Sequence, residues 1–408
     1  MSSSVPAPPP PIARTPEEWV AALKPLGGRA FHARQVFRWV QGRSVLDPRL
    51  MTDLPSSLRE KLAALAIERT LEVVEERRAA DDTRKLLVRL RDGATVESVL
   101  IPGVTGRFPG AAGRLPSPLD DSDGSGTFAA LEHDDDDNDG GLEGAGDAGG
   151  ARPAVRVSQC ISTQVGCAQG CVFCASGVAG LKRNLGADEI IAQVLIGRSR
   201  LDAGERLTNV VYMGMGEPLA NYEATARSLR ILTHPDGLAL SSRRITVSTS
   251  GLVPEIARLG QEFGGKIGLA VSLHATDDDT RTRLMPINKK YPLATLMDGL
   301  RAYPLPPRRR ITIEYTLVAG RNDTAAEARK LAGLLRGLAV KVNLIPMNPI
   351  EVSSLGPPKM SGVLAFQRVL CDAGYSCFIR RRRGDDVAAA CGQLALLGAK
   401  PKVRVNRD

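Results

Sequence analysis

Apolar and polar positions follow two different periods in the first hundred residues, and the period changes near residue 68. Between residues 15 and 67 apolar residues recur at roughly helical spacing, and Thr15-Pro-Glu-Glu18 is typical of a helix start. Between residues 68 and 101 the period shortens to two, which predicts paired strands at 71–75, 84–90 and 96–101. We therefore expect a small N-terminal α+β accessory domain over residues 15–102. The apolar positions behind the helical prediction are Trp19, Leu23, Phe31, Val36, Phe37 and Val40.

Residues 155–384 alternate apolar strand-like runs with helical stretches. The runs at 155–165, 207–213, 244–250, 267–273, 311–318 and 340–345 predict six strands, and 187–201, 222–232 and 324–338 predict helices. Regular alternation of this kind indicates an α/β fold with a parallel sheet and outer helices, either open or curled into a partial (β/α)6 TIM-like barrel. In such folds the chemistry is expected where the strands end.

Two segments have compositions that do not support a packed core. Residues 103–154 are rich in Gly, Asp, Ala and Pro and include the run Asp134-Asp-Asp-Asp137, so we expect a disordered acidic insertion. A calcium loop is the alternative, but the spacing does not match an EF-hand. Residues 1–14 are expected to form a disordered Pro-rich tail, which has neither the basic start nor the apolar core of a secretory signal.

The charge is unevenly distributed. The formal net charge is +9, but residues 117–150 hold eleven acidic residues and no Lys or Arg, so the other 374 residues carry +20. This excess of positive charge favours RNA or DNA as a partner, and a basic soluble protein without such a partner is the alternative. Arg243-Arg244, Arg308-Arg-Arg310 and Arg380-Arg-Arg-Arg383 are candidate phosphate contacts or, alternatively, solvated faces. No run of about 20 apolar residues occurs, so we expect no membrane span and a cytoplasmic protein.

Three cysteines in the run Val165-Gly-Cys-Ala-Gln-Gly-Cys-Val-Phe-Cys174 indicate an iron–sulfur centre. The spacing C-x3-C-x2-C places the thiolates of Cys167, Cys171 and Cys174 on one loop, where they could bind three irons of a cubane and leave the fourth open. A zinc site with Cys160 as fourth ligand is an alternative, but no second C-x2-C unit or His pair exists. Seven cysteines in 408 residues are too sparse for a disulfide framework and suit a reducing compartment.

Small polar groups follow several of the predicted strands. Met213-Gly-Met-Gly-Glu-Pro218 combines glycines that let a ligand approach the backbone with Glu217, which can accept hydrogen bonds from an ammonium group. Ser248-Thr-Ser-Gly251, Ser272-Leu-His274 and Pro346-Met-Asn-Pro349 occupy equivalent places. Together at one edge of the sheet, these groups would form a binding site for a polar, zwitterionic cofactor beside the cluster.

With these motifs the sequence resembles the RlmN family of radical S-adenosylmethionine (SAM) RNA methyltransferases from about residue 15 to 397, apart from the insertion. The family acts on carbon 2 of adenosine in 23S ribosomal RNA and transfer RNA. Its sister family Cfr, which methylates carbon 8, shares most of the motifs. Besides those above, the resemblance rests on Met285-Pro-Ile-Asn-Lys-Lys290, Asn343-Leu-Ile-Pro346, Arg383-Gly-Asp-Asp386 and Ala390-Cys-Gly-Gln393.

The resemblance implies a role for particular residues. Residues 155–384 would form the radical SAM core, with a [4Fe–4S] cluster on Cys167, Cys171 and Cys174. Residues 385–408 would form a C-terminal segment carrying Cys391, the methylated cysteine, with Cys160 as its partner thiol. Glu97 would accept a proton, whereas Cys371 and Cys377 match no motif and are expected to be buried apolar residues. The implied SAM contacts are Gly216, Glu217, Ser248, Ser272, Leu273, His274 and Asn348.

The implied chemistry explains the two cysteines outside the cluster. Carbon 2 of adenine is electron-poor, so direct displacement from SAM onto it would fail. One SAM would instead methylate Cys391, and a radical from a second SAM would activate that methyl group for addition to the ring. Cys160 would then release the product by forming a transient disulfide with Cys391.

Other functions remain open on the sequence alone. A Cfr-like C8 methyltransferase and a non-catalytic, metal-stabilised RNA-binding protein are the alternatives. For the preferred enzyme we expect a monomer that acts on 23S ribosomal RNA and transfer RNA. Its electron donor would be a protein such as flavodoxin or ferredoxin.

Overall fold

The computed structural model describes residues 8–65, 67, 71–103, 154–350, 353–380 and 383–394. The predicted disordered insertion at 103–154 lies outside the described residues except for its two ends. Of the predicted disordered tail, residues 8–14 are described, and this part is packed: Pro11–Ala13 forms a short 3₁₀ helix, Ile12 and Ala13 are buried in the core, and the Ile12 carbonyl accepts from Gln41 Nε2 at 2.6 Å. Of the arginine run at 380–383, Arg380 and Arg383 are described.

The N-terminal region is helical, as predicted. It contains α1 (Pro16–Leu23), α2 (Ala30–Phe37) and α3 (Ser56–Ala63). Thr15 caps α1, because its hydroxyl accepts from the Glu18 N–H at 3.4 Å while the Glu18 carboxylate accepts from the Thr15 N–H at 2.8 Å. The expected apolar positions are buried with one exception. Phe31 is 53% exposed, because α2 turns His32, Ala33, Val36 and Phe37 toward the core instead.

The three predicted strands of the accessory region continue the core sheet. β1 (Leu71–Arg78), β2 (Arg84–Leu90) and β3 (Thr95–Pro102) pair antiparallel in sequence, and β3 pairs antiparallel with β4 (Val155–Cys160). Val99 lies opposite Cys160 in this register, so Glu97, Val99 and Cys160 share one face of the sheet.

From β4 onward the strands of the main sheet are parallel, and each new strand of that sheet adds beside the last. The parallel strands follow the chain in the order β4–β7–β8–β9–β10–β11–β12. This singly wound order confirms the predicted α/β fold with a partial barrel. All carboxyl ends meet at one edge. The strands after β4 are β7 (Glu205–Tyr212), β8 (Ile245–Thr249), β9 (Gly268–Ser272), β10 (Ile311–Leu317), β11 (Val340–Pro346) and β12 (Cys377–Ile379).

The first predicted core strand is wrong in one respect. The apolar run 155–165 breaks after Cys160, and Gln164–Val165 forms a separate strand, β5, antiparallel to β6 (Arg183–Asn184). The break arises because Thr163 N–H donates to the Met215 carbonyl at 2.8 Å, which ties this stretch to the loop after β7.

Helices cover the connections between the parallel strands. The three predicted helices are present, and α10 begins after Thr324, whose hydroxyl accepts from the Glu327 N–H. None of the helices among the described residues has the length and apolar character needed to span a membrane. The helices are α4 (Ala175–Ala179), α5 (Ala187–Arg198), α6 (Tyr222–Leu232), α7 (Val253–Phe263), α8 (Asp278–Leu284), α9 (Leu293–Arg301), α10 (Ala325–Leu334) and α11 (Met360–Asp372).

Candidate active site

A cleft at the carboxyl ends of the parallel strands brings together most of the predicted site residues. The loops after β5, β7, β8, β9 and β11 all reach it, as the position of chemistry in parallel β/α folds leads one to expect. The predicted residues that line it are Cys167, Cys171, Cys174, Gly216, Glu217, Ser248, Ser272, His274, Asn348 and Cys391.

The cysteine loop is held by backbone contacts on both sides. Val172 N–H donates to the Leu284 carbonyl at 3.2 Å, and Cys174 N–H donates to the Cys171 carbonyl. Gly177 of α4 packs directly beneath, since an added Cβ there would lie 2.9 Å from the Cys171 nitrogen. The loop is therefore fixed against the sheet edge with its three thiols facing the cleft.

The three thiols are free, and their electrostatics suit a metal cluster. Burial raises the pKa of Cys167 to about 12, and burial together with the neighbouring thiols raises the pKa of Cys171 well above its usual range. Burial also raises the pKa of Cys174, although the Ser176 and Gly177 N–H groups at the start of α4 oppose the shift. Thiolates crowded together in this way become stable when a metal replaces their protons.

The donor set fits a [4Fe–4S] cluster better than the zinc alternative. Cys160, the fourth ligand of the zinc hypothesis, lines the adjoining cleft with Cys391 and not the cleft of Cys167, Cys171 and Cys174. Within the described part of the chain, no three His, Cys, Asp or Glu side chains converge on a point that could hold a single metal ion. Three thiolates on separate irons of a cubane do not require such convergence.

Glu217 is a buried carboxylate held at the cleft by hydrogen bonds. Its Oε2 accepts from the Ser250 N–H at 2.7 Å and the Ser250 hydroxyl at 2.8 Å, and its Oε1 accepts from Leu219 N–H. Burial raises its pKa, and these hydrogen bonds pull it back. Gly216 lies at φ +105°, where an added Cβ would be 2.6 Å from the Gln164 side chain, so only glycine fits beside the carboxylate. A ligand ammonium would supply the missing countercharge.

His274 is neutral and oriented by the neighbouring strand. Its Nδ1 accepts from Thr316 N–H at 2.8 Å, which leaves the ring proton on Nε2. Burial first, and then the Arg281 charge, lower its pKa to about 3. Its backbone lies at φ +58°, and its ring meets Phe173 edge to face at 4.8 Å. A non-glycine residue held in the left-handed region indicates that this placement is enforced by its surroundings.

Two buried oxygens in the cleft have no protein partner among the described residues. Asn348 Nδ2 donates to the Cys391 carbonyl at 2.8 Å, while its Oδ1 is unsatisfied. Glu314 Oε1 accepts from Asn343, and its Oε2 is unsatisfied. Buried polar atoms are normally paired, so these two indicate that a polar ligand belongs in the cleft.

Cys160 and Cys391 meet across a second cleft that adjoins the first. Both line it together with Arg380, which directly follows β12. Burial raises the pKa of Cys160 to about 12 and raises the pKa of Cys391, and the Arg380 charge opposes both shifts. The guanidinium therefore favours the thiolate forms that a nucleophilic cysteine needs. Sequence reasoning assigned Arg380 to RNA contact and missed this position, because the run of arginines gives no sign of which one points inward.

Two predicted site residues, Leu273 and Glu97, line neither cleft. The Leu273 side chain is fully buried in the core, so only its backbone could contact SAM. Glu97 is buried on β3, and its Oε1 lies 3.0 Å from Lys85 Nζ. Both assignments remain predictions.

A buried arginine that the sequence did not single out connects the strand ends. Arg281 is fully buried and donates to the carbonyls of Ser250 at 2.8 Å and Leu273 at 3.1 Å. It also donates to Asn288 Oδ1 at 2.9 Å, which gives the motif at 285–290 a structural role. Burial lowers its pKa to about 10. Ser250 in turn donates two hydrogen bonds to Glu217, so Arg281 helps to fix the position of the Glu217 carboxylate through Ser250.

Some sequence expectations are corrected by the structure. Cys377 is buried as expected, but Cys371 is exposed because it lies on the outer face of α11. Arg243, Arg244 and residues 308–310 precede β8 and β10, at the edge opposite the cleft. They are therefore poorly placed to hold RNA over the cleft.

Comparisons with known proteins identify two family matches within the chain. The model of the radical SAM superfamily matches residues 161–332, and the ribosomal RNA large subunit methyltransferase N-terminal domain matches residues 15–67.

Curated relatives match along nearly the whole chain. The dual-specificity RNA methyltransferase RlmN of Sorangium cellulosum is 66% identical over 97% of this chain and 97% of its own length. The protein of that name from Syntrophobacter fumaroxidans is 42% identical over 93% of this chain and 94% of its own. Among solved structures, a radical SAM methyltransferase from Sphaerobacter thermophilus has a TM-score of 0.77 and 40% identity, covering 94% of this chain and 98% of its own.

Proposed function

Because this chain belongs to the RlmN family of radical SAM RNA methyltransferases, we propose that it methylates carbon 2 of adenosine in 23S ribosomal RNA and transfer RNA. Each transfer would consume two SAM molecules. The observation that carries the proposal is one cleft lined by Cys167, Cys171 and Cys174, by Glu217 and by Cys391, with Cys160 in the adjoining cleft.

The residues of the main cleft would bind the cofactors. Cys167, Cys171 and Cys174 would hold a [4Fe–4S] cluster, which with SAM supplies the one-electron chemistry that activates a methyl group. Glu217 would accept hydrogen bonds from the SAM ammonium, and Gly216 leaves the space for it. The unsatisfied Asn348 Oδ1 offers one further acceptor. The remaining proposed contacts are Ser248, Ser272, Leu273 and His274.

Cys391 would carry the methyl group. Its thiolate attacks the SAM methyl carbon, forming a sulfur–carbon bond as the sulfonium–carbon bond breaks. After the activated carbon has bonded to carbon 2, that ring position would lose its proton, for which Glu97 is the proposed acceptor, and the adduct would give back the one electron that the activation consumed. The base must leave its stack to reach this cleft, as in other enzymes that act on a base.

Cys160 would release the product. Its thiolate attacks the Cys391 sulfur, so a disulfide forms while the bond from that sulfur to the transferred carbon breaks. The electron pair of the broken bond stays on the carbon, which takes up a proton and becomes the methyl group. A dithiol reductant would then return both cysteines to thiols.

Nucleoside analysis tests the proposed reaction. The full-length protein is reconstituted without oxygen and incubated with SAM, a low-potential reductant and unmodified 23S ribosomal RNA or transfer RNA. We expect 2-methyladenosine in digests of both RNAs. Detection of 8-methyladenosine would favour the Cfr-like alternative, and the absence of methylated adenosine from both RNAs would overturn the proposal.

Cysteine variants test the two proposed thiol roles. Cys391→Ala should abolish RNA methylation, and Cys160→Ala should accumulate a covalent protein–RNA adduct through Cys391. Cys371→Ala is the matched control, since this cysteine is exposed on α11 and should not affect turnover. Wild-type methylation by Cys391→Ala would refute the carrier role, and turnover of Cys160→Ala without an adduct would refute the resolving role.

A further inference from the structure

The segment that carries Cys391 is attached to the protein on two sides. On the cluster side, Ala175 N–H donates to the Gly392 carbonyl at 2.8 Å, and the Ser176 hydroxyl donates to the Leu394 carbonyl at 2.6 Å. Asn348 adds its bond to the Cys391 carbonyl at 2.8 Å. The other side of the segment contacts the turn between β1 and β2, far away in the sequence.

The β1–β2 turn binds the motif Arg383-Gly-Asp-Asp386. Asp81 Oδ2 accepts from the Gly384 N–H at 3.3 Å and lies 3.4 Å from Arg383 Nη1. In the opposite direction, Ala80 N–H donates to Asp386 Oδ2 at 3.0 Å. These contacts give the motif a role that is independent of RNA, since its Arg and second Asp both reach the hairpin.

Close packing reinforces these hydrogen bonds. Gly384 has φ +62°, and an added Cβ would lie 2.9 Å from Thr83 Cγ2 and 2.7 Å from Ala389 Cβ. A side chain at this position would push the segment off the hairpin. Glycine is therefore required both by the backbone conformation and by the neighbouring turn.

Lys85 connects the same segment to Glu97. From β2 its Nζ donates to the Ala388 carbonyl at 3.3 Å and lies 3.0 Å from Glu97 Oε1. The side chains of Lys85 and Glu97 are only 11% and 9% exposed, so this ion pair is shielded from solvent. One ammonium thus fixes the distance between the proposed proton acceptor and the segment that carries the methyl group.

We propose that Ala80, Asp81 and Lys85 form a docking site on the β1–β2 hairpin that positions the Cys391 segment over the cleft. The inference rests on the proposed function only in naming Cys391 as the carrier. Asp81 and Lys85 are positioning residues, since Asp81 acts through Arg383 and Gly384 and Lys85 acts through Ala388 and Glu97. The accessory strands therefore take part in the site, although they lie outside the cleft.

Amide hydrogen exchange tests the docking directly. Full-length, cluster-loaded protein is compared with its Asp81→Ala variant by peptide mass spectrometry. We expect amides of residues 383–392 to exchange about fivefold to tenfold faster in the variant, the effect of losing one or two hydrogen bonds. Alkylation of Cys391 by iodoacetamide should accelerate relative to exposed Cys371.

Asp92→Ala is a closely matched control. Asp92 occupies the next hairpin turn, accepts from the N–H two residues on at 3.1 Å, as Asp81 does, and also pairs with an arginine, Arg183. Its carboxylate bonds to Ala94 N–H and Arg183, and to none of the described residues of the Cys391 segment. Wild-type exchange at 383–392 is expected for this control, and equal acceleration in both variants would overturn the proposal.

A second pair of variants separates docking from general destabilisation. Lys85→Met should accelerate exchange at 386–390 and lower kcat for RNA methylation with little change in KM for RNA, and Lys85→Arg should restore much of both. Unchanged exchange in both Asp81→Ala and Lys85→Met would overturn the docking site. Because exchange requires no methyl transfer, failure of docking and failure of the proposed function are distinguishable.

Discussion

At the scale of single residues, the cleft depends on groups whose ionisation is set by burial. His274 accepts a backbone hydrogen bond through Nδ1, and burial with the Arg281 charge lowers its pKa to about 3. Glu217 is held by the Ser250 N–H and hydroxyl. The polar rim therefore presents a neutral imidazole and a hydrogen-bonded carboxyl to a ligand at neutral pH.

The His274 pKa predicts a pH-dependent stability. A folded pKa below the unfolded value of about 6.5 means that the unfolded chain takes up the proton first, so stability present above that pH is lost as pH falls toward 3. Between pH 7.5 and 5.0 the wild type should lose about 2 kcal/mol more unfolding free energy than His274→Gln. Urea unfolding of the metal-free proteins measures this, and equal losses would show that His274 titrates normally.

Residue identities could be predicted from the sequence where a motif names them, as for Cys167, Cys171 and Cys174. The inward position of Arg380 and the burial of Arg281 could not, because arginines on a basic chain give no signal of burial. Phe31 shows the opposite failure, since an apolar residue at roughly helical spacing proved exposed.

At the scale of elements, the strand ends are joined by buried polar groups. Arg281 on α8 donates to backbone carbonyls at the ends of β8 and β9 and to Asn288. These carbonyls lie where each strand leaves the sheet and has no further partner strand. A single guanidinium therefore fixes the relative position of two loops that carry proposed SAM contacts.

Removal of that guanidinium should be costly. Arg281→Met leaves several buried acceptors unsatisfied, so we expect a loss of about 3 kcal/mol or more in the free energy of unfolding. Arg301→Met is the control, because Arg301 is exposed and its ion pair, with Asp298, lies on its own helix. Its substitution should cost about 0.5 kcal/mol or less in the free energy of unfolding. Urea unfolding measures both variants. Similar losses of unfolding free energy would contradict the proposed role of Arg281 in joining the two loops.

Most strands and helices could be predicted because the buried strands are rich in apolar and β-branched residues and alternate along the chain with helical patterns. The exceptions have physical causes. The run 155–165 contains a turn set by contacts with the loop after β7, and β12 has only three residues, too few to show a period. β3 and β4 pair although the insertion separates them in the sequence, so their pairing could not be inferred from the local pattern.

At the scale of the whole molecule, charge and topology together indicate where RNA would bind. The exposed Lys289 and Lys290 follow Met285, which lines the cleft, and so lie at the carboxyl edge of the sheet. Exposed Lys266 and Arg308 precede β9 and β10 and lie at the opposite edge. RNA bound over the cleft should meet the first pair and not the second.

Salt dependence of RNA binding tests this orientation. Lys289→Gln with Lys290→Gln should weaken transfer RNA binding and reduce the slope of log K against log salt by about 1 to 2, because phosphate contacts are lost. Lys266→Gln with Arg308→Gln removes the same charge and should leave the slope nearly unchanged. Fluorescence anisotropy over a salt series measures both, and equal effects would show only a general charge attraction.

The central proposal is that Cys167, Cys171 and Cys174 would hold a [4Fe–4S] cluster in the cleft where SAM would also bind. Electron paramagnetic resonance of the reduced, oxygen-free protein with and without SAM tests it most directly. The account predicts a [4Fe–4S] signal that changes when SAM is added and is lost in Cys171→Ala. An iron–sulfur signal that does not respond to SAM, or no such signal in fully reconstituted protein, would contradict it.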